Sequence, residues 1–72
     1  MYHYRRLRDL REDNEYTQMD IAKLLNISQQ HYSLYEKGNN ELPMHFFVTL
    51  ARFYNVSLDY LAGLTDVPRK LY

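Results

Sequence analysis

Seventy-two residues allow one domain and no more. With no cysteine there is neither a disulfide staple nor a thiolate metal site, and an apolar fraction of 46% with eight tyrosines points instead to a conventional packed core. Nine basic and nine acidic residues cancel, which excludes binding of nucleic acid by bulk positive charge and leaves any such contact to where the charges sit. No apolar run reaches the length of a membrane span. The start Met1-Tyr2-His3-Tyr4-Arg5-Arg6 is not followed by the apolar stretch of a signal peptide, so a cytoplasmic chain is expected.

Five helices are predicted in chain order, and no run of alternating β-branched residues suggests a strand. The first runs from about Tyr4 to Asp13, where Tyr4, Leu7 and Leu10 recur every three residues and Arg11 follows Leu7 by four on the same face. The second runs from Gln18 to Leu25, with Thr17 as N-cap and Asp20 completing a capping-box variant. Ile21, Ala22 and Leu25 form its inner face. Asn26, second only to glycine in tolerating the left-handed conformation, stops it. The third starts two residues later on the cap Ser28, carries Tyr32, Tyr35 and Glu36 on one side, and ends at Gly38. After Asn39-Asn40-Glu41-Leu42, Pro43 suits a first helical position, and the fourth helix extends to about Tyr54 with apolar residues over more than half its perimeter. Ser57 caps a short fifth helix that ends at Gly63. Residues 1–64 therefore read as the domain and 65–72 as a C-terminal tail.

The stretch from Gln18 to Lys37 forms one unit. A capped helix of two turns stops at Asn26, a tight turn passes through Ile27, and a second capped helix follows. Small Ala22 lets the two approach, while Ile21, Leu25, Ile27, Tyr32 and Tyr35 are spaced to fill the angle between them. This is the physical recipe of a helix-turn-helix, with its second helix held outward for the major groove.

The run Leu10-Arg11, Tyr16-Thr17-Gln18, Ile21-Ala22, Leu25-Asn26-Ile27-Ser28, Tyr32-Ser33 and Tyr35-Glu36-Lys37-Gly38 resembles the Cro/phage-repressor type of helix-turn-helix domain, the XRE family. Leu42-Pro43, Leu50-Ala51, Phe53-Tyr54-Asn55-Val56-Ser57 and Asp59-Tyr60-Leu61-Ala62-Gly63 resemble its fourth and fifth helices. The resemblance implies a compact, all-α, five-helix lambda-repressor-like domain that binds double-stranded DNA in bacteria or their phages as a transcriptional regulator, a repressor by preference. Two positions depart from the pattern. Asn26 stands where glycine is usual, and Tyr32 where a β-branched aliphatic is common, so Tyr32 needs more room and a partner for its hydroxyl if buried.

With Tyr32, Tyr35 and Glu36 facing inward, Gln29, Gln30, Ser33 and Leu34 fall on the opposite side and match the base-reading positions of the family. Glutamine can bond adenine N6 and N7 together, and leucine can touch a thymine methyl. Gln18 and Ser28 at helix starts, with Lys37, Asn39 and Asn40 after the third helix, are the expected phosphate contacts. Asn39 and Asn40 serve equally well as ordinary turn residues. Relatives of this type with arginine and glutamate at the positions of Arg11 and Glu36 join their first and third helices by an ion pair, which the resemblance carries across.

The weaker signals have blander readings. His3, His31 and His45 show no metal-ligand spacing, although His31 sits where it can approach phosphate. No nucleophile is paired with a base and no glycine-rich phosphate cradle appears, so neither catalysis, cofactor nor small-molecule ligand is expected. Arg5, Arg6 and Arg8 read as a solvated helix face that can flank a duplex. The apolar excess of the fourth helix suggests a partner surface, and a homodimer through the fifth helix and the tail, on a palindromic operator, is the expected assembly. The competing expectation is a protein-interaction module, such as an antitoxin-like or adaptor protein.

Overall fold

The computed structural model describes residues 4–68, so the tail residues 69–72 and His3 lie outside the described residues. Five helices follow in order: α1 Arg5–Asp13, α2 Gln18–Leu25, α3 Gln29–Glu36, α4 Met44–Tyr54 and α5 Leu58–Ala62, with no strand among the described residues. None of these helices is long and apolar enough to cross a membrane.

The core is drawn from all five. Leu7 of α1, Ile21, Ala22 and Leu25 of α2, Tyr32 and Tyr35 of α3, Leu50 and Ala51 of α4 and Leu61 of α5 are buried, joined by Leu42 and Val56 from the loops. These are the inner-face positions that helical spacing selects, and their removal from water supplies the main driving force for folding. The tyrosines enlarge this core at a cost, because the Tyr32 and Tyr54 hydroxyls are buried without a hydrogen-bond partner. Burial accordingly raises the pKa of both hydroxyls, with the nearby Glu36 charge acting in the same direction.

Three of the helix starts carry a side-chain cap. Thr17 Oγ1 accepts from the Asp20 amide at 3.1 Å while the Asp20 carboxylate accepts from the Thr17 amide at 2.8 Å, closing a reciprocal capping box. Hydrogen bonding to the Thr17 amide first, and to the Thr17 side chain second, holds the Asp20 carboxyl below its ordinary range. Ser28 and Ser57 accept from the amides of His31 and Tyr60, both at 3.0 Å. Pro43 differs from the sequence expectation by one position. Its ψ of 150° places it at the N-cap, Met44 becomes the first helical residue, and the Pro43 carbonyl accepts from Phe46 and Phe47.

The helix ends share one solution, in which a residue with positive φ follows the last turn and two amides fold back on its carbonyls. Asn26, with φ 59°, donates to Lys23 O while Ile27 donates to Ala22 O, the pairing of a Schellman motif. Asn55, Gly38 and Gly63 repeat it after α4, α3 and α5. After α1 the left-handed position falls on Glu15, φ 62°, with Glu15 donating to Glu12 O and Tyr16 to Arg11 O. Nothing in the side chain of glutamate favours that conformation, which costs an L-residue roughly 1–2 kcal/mol. Glu15→Gly is therefore expected to stabilise the domain by about 0.5–1 kcal/mol after glycine's own entropy is subtracted, raising Tm by about 4 °C. A thermal melt that shows no gain refutes the strain at Glu15.

Arg6 departs from the solvated face expected of it. Its guanidinium, with the side chain 21% exposed, donates to Tyr60 O at 3.0 Å, Thr65 O at 2.7 Å and Asp66 Oδ1 at 2.7 Å, and stacks 3.9 Å from the Tyr60 ring centroid. Ser57 N donates to Pro68 O at 3.0 Å, so the stretch 64–68 is folded back on its own α1 and α5. Asp66 is almost wholly exposed and adds little to this clasp, whereas the two carbonyl bonds and the stacked ring are shielded. Arg6→Met, which keeps the aliphatic stem, is expected to cost about 2 kcal/mol. Faster amide exchange at Ser57 should accompany that loss, and unchanged exchange would dismiss the clasp.

Candidate nucleic-acid interface

The site is built by the way α2 hands the chain to α3. The left-handed Asn26 reverses direction, Ile27 is half-buried against the core, and Ser28 restarts the helix within two residues. Tyr32 (0% exposed) and Tyr35 (4%) anchor α3 from below. Gln29, Gln30 and Leu34 are consequently exposed on its outer side, with Ser33 half-buried beside them. Lys37, Asn39 and Asn40 are exposed at the far end of the helix.

An open depression of about 600 Å3 lies between the starts of α2 and α3. Gln18, Ser28, Gln29, Gln30 and Ser33 line it together with apolar Met19 and Ile27. Five of the sequence-selected positions are thus brought to one surface. Leu34 lies further along α3, and Lys37, Asn39 and Asn40 lie beyond it. Asn39 also has a backbone duty, since its amide donates to Leu34 O at 2.9 Å in the turn that ends α3. The Ser28 hydroxyl accepts from the His31 amide and keeps its own proton as a donor. His31 Nε2 lies 2.9 Å from the Tyr35 hydroxyl, a pairing one helical turn apart that the sequence reading did not anticipate. Burial raises the pKa of that Tyr35 hydroxyl.

Beneath this surface a polar network fixes the pose of α3. Arg11 Nε donates to Glu36 Oε2 at 2.7 Å and Arg11 Nη2 to Glu36 Oε1 at 3.2 Å, the two-pronged geometry that suits a guanidinium and a carboxylate. The side chains are 12% and 5% exposed. Arg11 Nη1 also donates to Tyr16 O at 3.0 Å, and Gln18 Nε2 to Glu36 Oε1 at 3.1 Å. Four pieces of chain are thereby locked: α1, the turn before α2, the start of α2, and the end of α3. Burial alone would raise the Glu36 pKa, but the neighbouring Arg11, Tyr32 and Gln18 side chains, in that order, outweigh it and the net shift is downward. The Arg11 pKa moves up, chiefly through its hydrogen bond to the same carboxylate.

The Gln18 link was not visible in the sequence. Its half-buried amide spends one N–H on Glu36, which leaves one N–H to meet a phosphate oxygen. The signal that could have found it is its position one residue past the cap of α2, on the side of Glu36.

Comparison with known proteins places the chain in a family. A family model described as Helix-turn-helix matches residues 7–61. An uncharacterised HTH-type transcriptional regulator of Bacillus subtilis (strain 168), YobD, is 41% identical over 63 residues, which cover 88% of this chain and 56% of that protein. The HTH-type transcriptional regulator ImmR of the same organism is 36% identical over 66 residues, covering 92% of this chain and 52% of that one. The chain spans about half the length of these curated relatives. No solved structure matches it. A match over most of the chain, on a helix pair capped and turned as described, identifies the protein as a member of the helix-turn-helix family, of the Cro/phage-repressor (XRE) type.

Proposed function

We propose that the chain is the sequence-specific duplex-DNA-binding part of a transcriptional regulator, and that α3 enters the major groove by its N-terminal end. One observation carries the reading: α3 is anchored by two buried tyrosines while Gln29, Gln30 and Leu34 stand exposed on its opposite side. In this reading Gln29, Gln30, Ser33 and Leu34 meet base edges, and Gln18, Ser28, Lys37, Asn39 and Asn40 meet the phosphates. The names of the two Bacillus relatives, both transcriptional regulators, support it. The chain acts in the cytoplasm by binding rather than catalysis, and represses by covering a promoter.

A single domain reads few base pairs, so two copies on a palindromic site complete the reading, with α5 and the tail as their contact. Leu64 and Val67, 79% and 57% exposed, support that surface. Selection of bound sites from a random duplex library tests both parts. A symmetric consensus is expected; absence of any enriched sequence refutes specific binding, and an enriched site without symmetry refutes the paired arrangement.

The exposed Tyr16 and Phe53, with rings 5.2 Å apart, favour a second reading in which the domain docks another polypeptide. Ionic strength separates the two. A duplex binder loses affinity steeply with salt, whereas an interaction module shows little duplex binding at any salt concentration.

A further inference from the structure

A chain without net charge must aim its few free cations if it is to hold a duplex. Arg6 is committed to the C-terminal segment and Arg11 to Glu36. Arg8 and Lys37 are placed differently. One comes from α1 and the other from just after α3, yet both line a single open indentation of about 330 Å3 together with Arg11, Gln18 and Glu36. Glu36, the acid among these residues, is already engaged: Arg11 bonds both its oxygens and Gln18 one of them. The indentation therefore presents two further cationic side chains over a neutralised pair. Lys37 forms no ion pair among the described residues. Arg8, 67% exposed, is paired only with Glu12 at 3.3 Å, itself 52% exposed, in an i,i+4 contact of the kind that water weakens and rival anions readily replace.

We propose that this indentation seats one phosphodiester of the duplex backbone, held jointly by Arg8, Lys37 and the remaining N–H of the Gln18 amide, and that Arg8 reaches it by giving up Glu12. The inference rests on the reading of the chain as a duplex binder and deepens it by adding a contact, Arg8, and an opponent, Glu12. A phosphodiester offers two free oxygens and one negative charge. A guanidinium fork matches the oxygens, and two cations from separate parts of the chain fix the group in position as well as in charge. The first helix then grips the same backbone point as the end of α3, which sets how far α3 enters the groove. Glu12 works against this by holding Arg8 when no duplex is present.

The test is the salt dependence of duplex binding, read by fluorescence anisotropy on a site recovered from the library selection. The proteins are the wild-type chain, Arg8→Gln, Lys37→Gln, their double variant, Glu12→Gln, and Glu12→Gln combined with Arg8→Gln. The three positions are exposed, and circular dichroism checks that each variant keeps its fold. Arg8→Gln is expected to weaken binding severalfold on all duplexes alike. The double Arg8/Lys37 variant should flatten the slope of log K against log salt by about 0.9, the amount for one phosphate. Glu12→Gln should tighten binding severalfold, and that gain should vanish in the Arg8→Gln background. A wild type that binds duplex while Arg8→Gln keeps its full affinity overturns the seat and leaves the DNA-binding reading standing. A slope change of about 1.8 in the double variant means two separate phosphates and overturns the shared seat. A Glu12→Gln gain that persists without Arg8 overturns the exchange. A wild type that binds no duplex overturns both readings.

Discussion

Glu36→Ala is expected to lower the unfolding free energy by about 3 kcal/mol and to weaken binding to every duplex by the same factor. The carboxylate accepts from Arg11 twice and from Gln18 once, and its loss leaves the guanidinium of a largely enclosed arginine without a counter-charge. Breaking a buried pair by removing one partner costs about 3–5 kcal/mol. The lower end applies here, because a 72-residue domain covers its interior with a thin shell and water's field reaches the pair. For a domain of this size such a loss corresponds to a Tm lower by roughly 12–24 °C. Binding falls uniformly because the network sets the pose of α3 and touches no base. A variant that keeps its stability and changes only its sequence preference would count against this account.

The same carboxylate makes the domain acid-sensitive in a defined direction. Its folded pKa lies below the ordinary 4.5, so the folded state gains from ionised Glu36. That gain is complete above the unfolded value and drains away as pH falls through the folded one. The advantage of the wild type over Glu36→Gln should therefore be constant at neutral pH and shrink below about pH 4.5. Urea melts across that range measure it.

The parts of this molecule that could be read from the sequence were those governed by neighbours in the chain. Thr17 with Asp20, Asn26, Ser28 and Ser57 act within four residues of themselves, so their caps and stops follow from residue type and spacing. Inner faces were legible for the same reason, since burial of Ile21, Ala22, Leu25, Tyr32 and Tyr35 repeats with the helical period. What stayed hidden was long-range or unfavoured by type. Arg6 reads like its neighbours Arg5 and Arg8 until the chain brings Thr65 and Asp66 beside it, 59 and 60 residues away. Glu15 takes a left-handed conformation that its side chain does nothing to announce. Gln18 is tied to Glu36 across 18 residues, so the position expected to contact phosphate also braces α3.

The opposite kind of effect is expected at the exposed end of α3. Gln30→Ala should leave stability unchanged, because Gln30 is exposed and alanine is at least as good a helix former. Its consequence should appear only on DNA. A glutamine that bonds both N6 and N7 of an adenine contributes about 1–3 kcal/mol of discrimination, so removing it should bring the correct and the substituted base pair closer in affinity by roughly 5- to 150-fold. The loss should be confined to one base pair per copy, with the salt slope intact because no phosphate contact is touched. Gln29→Ala should behave alike at an adjacent pair. Binding to the selected duplex and to a set carrying every single base-pair change separates this from the Glu36 result: one position losing its preference marks a reader, and all positions losing affinity together mark a brace. Should Gln30→Ala weaken every duplex equally, the N-terminal end of α3 does not face the bases, and the orientation argued for α3 is wrong even if the domain still binds DNA.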